Sequence, residues 1–76
     1  MMAAATKPTK GVKYECRNRI ELSIAQGGKM LVSPGEKLTV FNVGALTVDV
    51  LLEGVSYRIY TSALIDKIPT GDIFLI

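Results

Sequence analysis

Apolar and polar side chains alternate along residues 12–24. One parity is apolar at every position except Asn18, and the other parity is polar or charged throughout. A period of two predicts a β-strand with one buried face. Because this run is longer than most strands, the pattern also predicts a bend or bulge near Asn18.

Turn signals divide the remainder of the chain into short segments. The stretch "AQGGKM" (25–30) predicts a hairpin turn, because glycine reaches positive φ without a Cβ clash. In "SPGE" (33–36), Pro34 and Gly35 suit the two central positions of a type II turn. Glu53 and Gly54 separate two alternating runs and predict a two-residue hairpin turn.

Short strands are predicted between these turns. They are "KLTVFNV" (37–43), "LTVDVLL" (46–52), "VSYRIY" (55–60) and a final "IFLI" (73–76). The segment "TSALIDK" (61–67) is long enough for one helical turn, with Thr61 or Ser62 as its cap. No stretch keeps a 3.6-residue period over several turns, so the sequence predicts a small all-β fold.

The order of these elements from Tyr14 to Ile68 resembles an SH3-like barrel. The matching stretches are "PGEKLTV" at the start of the second family strand, "LLEGVSYRI" around the distal hairpin, and "YTSALIDKI" at the helical turn and closing strand. The resemblance implies a barrel of about five strands with one short helical turn. Residues 12–76 would form this single domain, and "PTGDIFLI" (69–76) would add an extra C-terminal strand at an edge or a dimer seam.

The peptide-binding residues of eukaryotic SH3 domains are missing from this chain. There is no tryptophan, and Asp49 and Val50 lie near the place of the tandem-Trp signature. Ala63 and Leu64 stand where the helical-turn segment of the family carries proline and tyrosine. The resemblance therefore covers the scaffold, and recognition of proline-rich peptides is not implied.

Positive charge is concentrated near the N-terminus. Residues 1–19 carry five basic side chains against one acidic side chain, whereas residues 20–76 carry four basic and six acidic ones. The basic residues of the first segment are Lys7, Lys10, Lys13, Arg17 and Arg19. Residues 1–11 are predicted to form a flexible arm that either keeps the domain in solution or contacts phosphate, as in nucleic-acid-binding KOW-like and Tudor-like barrels.

No pattern of catalytic or metal-ligating residues stands out. The chain has no histidine, its acidic residues are scattered singly, and Cys16 is the only cysteine. We therefore expect no enzymatic activity, no metal, no cofactor and no disulfide. Cys16 is predicted to be a small buried side chain, and its solitary thiol is typical of a reducing, cytoplasmic setting.

Membrane association is not expected either. No apolar run reaches the roughly 18 residues of a membrane helix, and the start of the chain lacks the apolar region of a secretory signal.

Several apolar residues fall on the parity opposite to the predicted core. Phe41, Val43 and Leu51 would form an exposed patch unless the C-terminal "IFLI" covers them. Arg58 and Tyr60 share the outward parity of their strand, where they either bind a partner or form an ordinary cross-strand pair. The sequence thus predicts a protein-binding module that contacts its partner through Phe41, Leu51, Arg58 and Tyr60. Small chains of this size and style are common among phage-encoded regulators that block a host protein.

Overall fold

The structure is a computed structural model that describes residues 7–76 of the chain. Within this range the polypeptide forms seven β-strands and one short helix, which confirms the all-β prediction. The elements are β1 (Lys13–Cys16), β2 (Ile20–Ser23), β3 (Lys29–Val32), β4 (Lys37–Val43), β5 (Thr47–Leu52), β6 (Val55–Tyr60), α1 (Thr61–Ile65) and β7 (Ile73–Leu75).

Five of the strands form one antiparallel sheet in the order β6-β5-β4-β1-β7. The hairpin of β2 and β3 is a separate two-stranded sheet that touches the edge of β6 through a bridge between Ile24 and Ile59. Neither sheet closes on itself, so a closed SH3-like barrel is not confirmed. The predicted C-terminal strand does form, and it pairs with β1 at the end of the sheet opposite to β6.

The alternating run of residues 12–24 does not form one strand. It bends at residues 17–19, so that β1 joins the five-stranded sheet and β2 joins the hairpin. The predicted bend at Asn18 is therefore confirmed. Its side-chain amide donates a 2.9 Å hydrogen bond to the Asp72 carboxylate, and the backbone amides of Arg17 and Asn18 both donate to the Asp72 carbonyl.

The hydrophobic core lies between the inner face of the five-stranded sheet and a cover formed by the hairpin and α1. Cys16 and Ile20 both point into it, so the apolar parity continues through the bend although the strands belong to different sheets. Cys16 is 1% exposed, as predicted, and burial raises the pKa of its thiol. The buried apolar residues are Tyr14, Cys16, Ile20, Leu22, Met30, Val32, Leu38, Val40, Val48, Val50, Leu52, Ile59, Leu64 and Ile73.

The predicted helical turn forms, but its predicted cap is wrong. Tyr60 occupies the N-cap position and makes no side-chain capping bond. Thr61 is already inside the helix and is buried, with no hydrogen-bond partner for its hydroxyl among the described residues. Leu64 is fully buried, so the helix is held by packing and not by capping.

Part of the predicted N-terminal arm lies against the sheet. Residues 1–6 fall outside the described residues. Pro8 is buried, and the Gly11 amide donates a 2.7 Å hydrogen bond to the Val40 carbonyl on β4. Lys7 and Lys10 remain exposed.

Two hairpin-type turns depend on glycine. Gly35 has φ of 89° in the turn before β4, and Gly54 has φ of 78° in the turn between β5 and β6. Added Cβ atoms at both positions would meet no other atom within 4 Å, so the conformation itself is what favours glycine.

We expect Gly35→Val and Gly54→Val each to lower the free energy of unfolding by more than about 1 kcal/mol, because a β-branched residue is strained at positive φ. Urea denaturation of the two variants measures this. Gly54→Asn is the matched control and should lose less, since asparagine tolerates the left-handed region. Unchanged midpoints for both valine variants would show that these turns are assigned wrongly.

Candidate functional site

The outer face of the five-stranded sheet, turned away from the core, carries partly exposed apolar side chains. Phe41 is 36% exposed, Leu51 is 37% exposed and Tyr60 is 42% exposed. β7 lies within the same sheet, beyond β1, and does not cover Phe41 or Leu51. We refer to Phe41, Leu51, Arg58 and Tyr60 as the β4–β6 patch.

A bulge in β4 decides which side chains reach this face. Val40 pairs with Val50, but the next pair is Asn42 with Asp49, so Phe41 is an extra residue on its strand. Phe41 lines a cleft with Asp49 on the outer face. Val43 is 36% exposed, as predicted, but it pairs with the core residue Val48 and so does not lie beside Phe41, because the bulge shifts the alternation by one residue.

The middle of the patch is an ion pair between facing strands. Asp49 pairs with Arg58 in the register of β5 and β6, and its carboxylate accepts bonds of 2.8 Å from Arg58 Nε and 3.3 Å from Nη2. Asn42 donates a third bond of 3.3 Å. The Arg58 hydrogen bond holds the pKa of Asp49 below its ordinary value, so the pair is charged at neutral pH.

The other members of the patch surround this ion pair. Leu51 faces Ser56 across β6 and is two residues from Asp49 along β5, while Tyr60 is two residues from Arg58 along β6. The Tyr60 hydroxyl donates a 3.4 Å hydrogen bond to the Ala25 carbonyl at the tip of the hairpin. Two strands thus hold three of the four predicted residues side by side, and the neighbouring β4 bulge adds Phe41.

The five predicted cations do not form one cluster. Lys7 and Lys10 border an open cleft of about 420 Å³ beside Val43, and Lys13 lies on β1 opposite Thr39. The Arg17 guanidinium lies over the Phe74 ring, 5.1 Å from its centroid. Arg19 is exposed in the bend before β2. Only Lys13 lies on β1, since Lys7 and Lys10 precede this strand and Arg17 and Arg19 follow it.

A hydrogen-bonded pair of carboxyl groups lies at the turns, away from the patch. The hydrogen bond between the two carboxyl groups lowers the pKa of Glu36 and, together with repulsion from the Glu36 charge, raises that of Glu53. The Ser33 amide also donates a 2.7 Å bond to Glu36 and favours its charged form. Glu53 additionally has φ of 51°, which is strained for a side chain of this kind.

We expect Glu53→Gln to raise the unfolding midpoint at neutral pH. A raised pKa means that Glu53 contributes stability below its unfolded pKa, about 4.3, and loses it as pH rises through the higher folded value. The side-chain amide of the glutamine variant stays neutral at every pH and can still donate to Glu36. In acid the wild-type Glu53 is also neutral, so the gain in the unfolding midpoint should be smaller there. Urea denaturation at neutral and acid pH measures it, with Glu21→Gln as control because Glu21 pairs with Lys29. An equal rise of the unfolding midpoint at neutral and at acid pH would contradict this link between Glu53 ionisation and stability.

Several exposed apolar side chains were not singled out by sequence reasoning. Leu46 is 77% exposed in the loop before β5, and Leu75 is 62% exposed on β7. Both residues lie in short apolar runs that predict strands, so the alternation of apolar and polar residues did not indicate that they are exposed. The stacking of Arg17 on Phe74 was also missed, since it joins residues far apart in the sequence.

Comparisons with known proteins provide no relative for this chain. A scan against protein-family models gives no match, and searches of curated proteins and of solved structures also give none. Within residues 7–76, no group of three or more His, Cys, Asp or Glu side chains lies close enough together to hold a metal ion. In the same range no helix has the length and apolar character needed to span a bilayer.

Proposed function

We propose that this chain is a non-enzymatic protein-binding module that contacts its partner through the β4–β6 patch. The observation that carries the proposal is the partial exposure of Phe41 and Leu51 on the outer sheet face, beside a positioned arginine. Aromatic residues and arginine supply most of the energy of protein interfaces, because they bury a large area with few rotatable bonds. A fixed guanidinium also loses less entropy on binding than a mobile one.

The scaffold that we propose is SH3-like. Three features support it: the long excursion of β2 and β3 between β1 and β4, the tight turn between β5 and β6, and the helical turn α1 before the last strand. The pairing of β1 with both β4 and β7 also agrees with a barrel-derived arrangement. In such a scaffold the β4–β6 patch belongs to the sheet surface.

The biological role that we propose is that of a small cytoplasmic regulator, of the phage type, which occupies the surface of a host protein. The size of the chain and the partly exposed apolar patch are consistent with inhibition by docking. Self-association through β7 is part of the proposal as well. This strand ends the sheet and exposes Leu75, so a second copy could pair with it.

Nucleic-acid binding is the second candidate function. The five cations before, on and after β1 favour it, and Arg17 on Phe74 provides a cation beside an aromatic ring. Opposing it, two carboxylates lie on the same outer face. Glu15 is 4.0 Å from Lys37, and Asp49 is bonded to Arg58, so Lys37 and Arg58 add little uncompensated charge to the five cations.

An affinity capture from cells that naturally make the chain distinguishes these functions. The wild type and the double variant Phe41→Ser/Leu51→Ser are immobilised, and each lysate is divided into nuclease-treated and untreated halves. The proposal expects a protein that is retained after nuclease treatment and lost with the double variant. Retention by both baits, or loss after nuclease treatment, would contradict it. Circular dichroism of the double variant controls for folding.

A further inference from the structure

Arg58 has donors that the described residues leave unused. Its Nε and one Nη2 hydrogen face Asp49, and no other described group accepts from it. A guanidinium carries five N–H donors, so the edge formed by Nη1 and Nη2 remains available. The side chain as a whole is 54% exposed.

Arg58 is one of the residues that line a small open cleft of about 220 Å³. The lining residues are Gln26, Phe41, Asp49, Ser56, Tyr57 and Arg58. Gln26 comes from the hairpin tip, which is fixed to β6 by a 2.8 Å bond from the Ala25 amide to the Arg58 carbonyl. The amide of Gln26 and the hydroxyl of Ser56 add neutral donors beside the guanidinium.

Asp49 balances the charge of Arg58 in this cleft, but the guanidinium is the more exposed member of the pair. The Asp49 side chain is only 13% exposed, and it already accepts three hydrogen bonds from Arg58 and Asn42. Its oxygens are therefore turned toward partners within the sheet. An incoming cation would meet Arg58 first, whereas an incoming carboxylate would match the planar fork of the guanidinium.

We infer that this cleft binds an aspartate or glutamate carboxylate presented by the partner protein, with an apolar partner residue next to it on Phe41 and Leu51. The inference deepens the proposed function and rests on it. A protein partner fits better than a phosphate backbone, because the cleft offers one arginine beside apolar surface, and repeated phosphates need several uncompensated cations. Asp49 acts as the positioning residue that fixes the orientation of Arg58.

Selection from a displayed library of random peptides tests the inference. We expect enriched peptides to contain an acidic residue adjacent to an apolar one. In a synthetic copy of a selected peptide, exchanging that Glu for Gln should weaken binding by at least about tenfold, since hydrogen bonds between charged groups are the strong ones. Arg58→Gln should bind the Glu and Gln peptides equally. Arg58→Lys should discriminate less than the wild type, because lysine lacks the planar fork.

Two controls keep the outcome interpretable. The double variant Asp49→Asn/Arg58→Gln removes both charges of the ion pair. If this variant also fails to distinguish the Glu and Gln peptides, the failure is not caused by an unpaired Asp49 carboxylate. Lys29→Gln removes a cation from the Lys29–Glu21 pair on the hairpin and should leave discrimination intact.

The inference is overturned if enriched peptides lack acidic residues, if Arg58→Gln still discriminates, or if only a single-stranded oligonucleotide binds. Binding that requires Phe41 but not Arg58 would overturn the carboxylate inference and leave the proposed function standing. If the Phe41→Ala variant still distinguishes the Glu and Gln peptides through Arg58, the proposed function would be overturned and the carboxylate inference would stand. Absence of any enriched peptide would count against both.

Discussion

Replacing Phe41 with alanine is expected to weaken partner binding by at least about 30-fold, which corresponds to the 2 kcal/mol that defines an interface hot spot. The bulge in β4 projects this ring onto the outer sheet face, beside Leu51 and the positioned Arg58. Removing the ring deletes the largest apolar contact of the patch. Titration of the captured partner, by calorimetry or fluorescence, measures the loss.

The matched controls for this prediction are exposed apolar residues elsewhere in the chain. Leu31 is 48% exposed on the β2–β3 hairpin, so Leu31→Ala removes a side chain like Leu51 from a different sheet. We expect Leu31→Ala to bind normally and Leu51→Ala to bind weakly. Equal effects of the two leucine variants would show that the partner does not use the β4–β6 patch.

Ile59→Ala is expected to lower the free energy of unfolding by about 2–5 kcal/mol, the range for truncating a buried isoleucine. Ile59 is fully buried on β6 and also forms the bridge to Ile24, so it links the five-stranded sheet to the hairpin. A domain of this size is stable by only about 4–11 kcal/mol. The variant should therefore have a much lower urea midpoint.

Val55→Ala is the control on the same strand. Val55 is 52% exposed, and truncating it should change stability by less than about 0.5 kcal/mol. Similar midpoints for Ile59→Ala and the wild type would contradict the core as described. Circular dichroism at several urea concentrations distinguishes the two variants in one experiment.

Local signals in the sequence predicted most of the secondary structure. Alternation identified the strands, and Gly35 and Gly54 marked turns at the correct residues because each needs positive φ. The bend at Asn18 followed from the excessive length of one alternating run. The transfer of β2 to a separate sheet could not be predicted, since it depends on contacts between distant segments such as Asn18 with Asp72.

The candidate site was predicted in composition but not in geometry. Parity placed Leu51, Arg58 and Tyr60 on the outer face, and the register of β5 and β6 agrees. The bulge at Phe41 could not be predicted from the sequence, because it is a property of strand pairing; it leaves Val43 exposed but on the other face of the sheet. The partnership of Asp49 with Arg58 depends on the same register, as does the cleft beside them.

A salt titration of partner binding tests the central proposal most directly. Six phosphate contacts would reduce affinity by about 10³-fold between about 50 and 200 mM salt. An interface centred on the β4–β6 patch predicts a far smaller loss, normal binding by Lys7→Ala, Lys10→Ala and Lys13→Ala, and weak binding by Phe41→Ala and Tyr60→Ala. A steep salt dependence, with the lysine variants inactive and the aromatic variants intact, would contradict protein binding and favour nucleic acid.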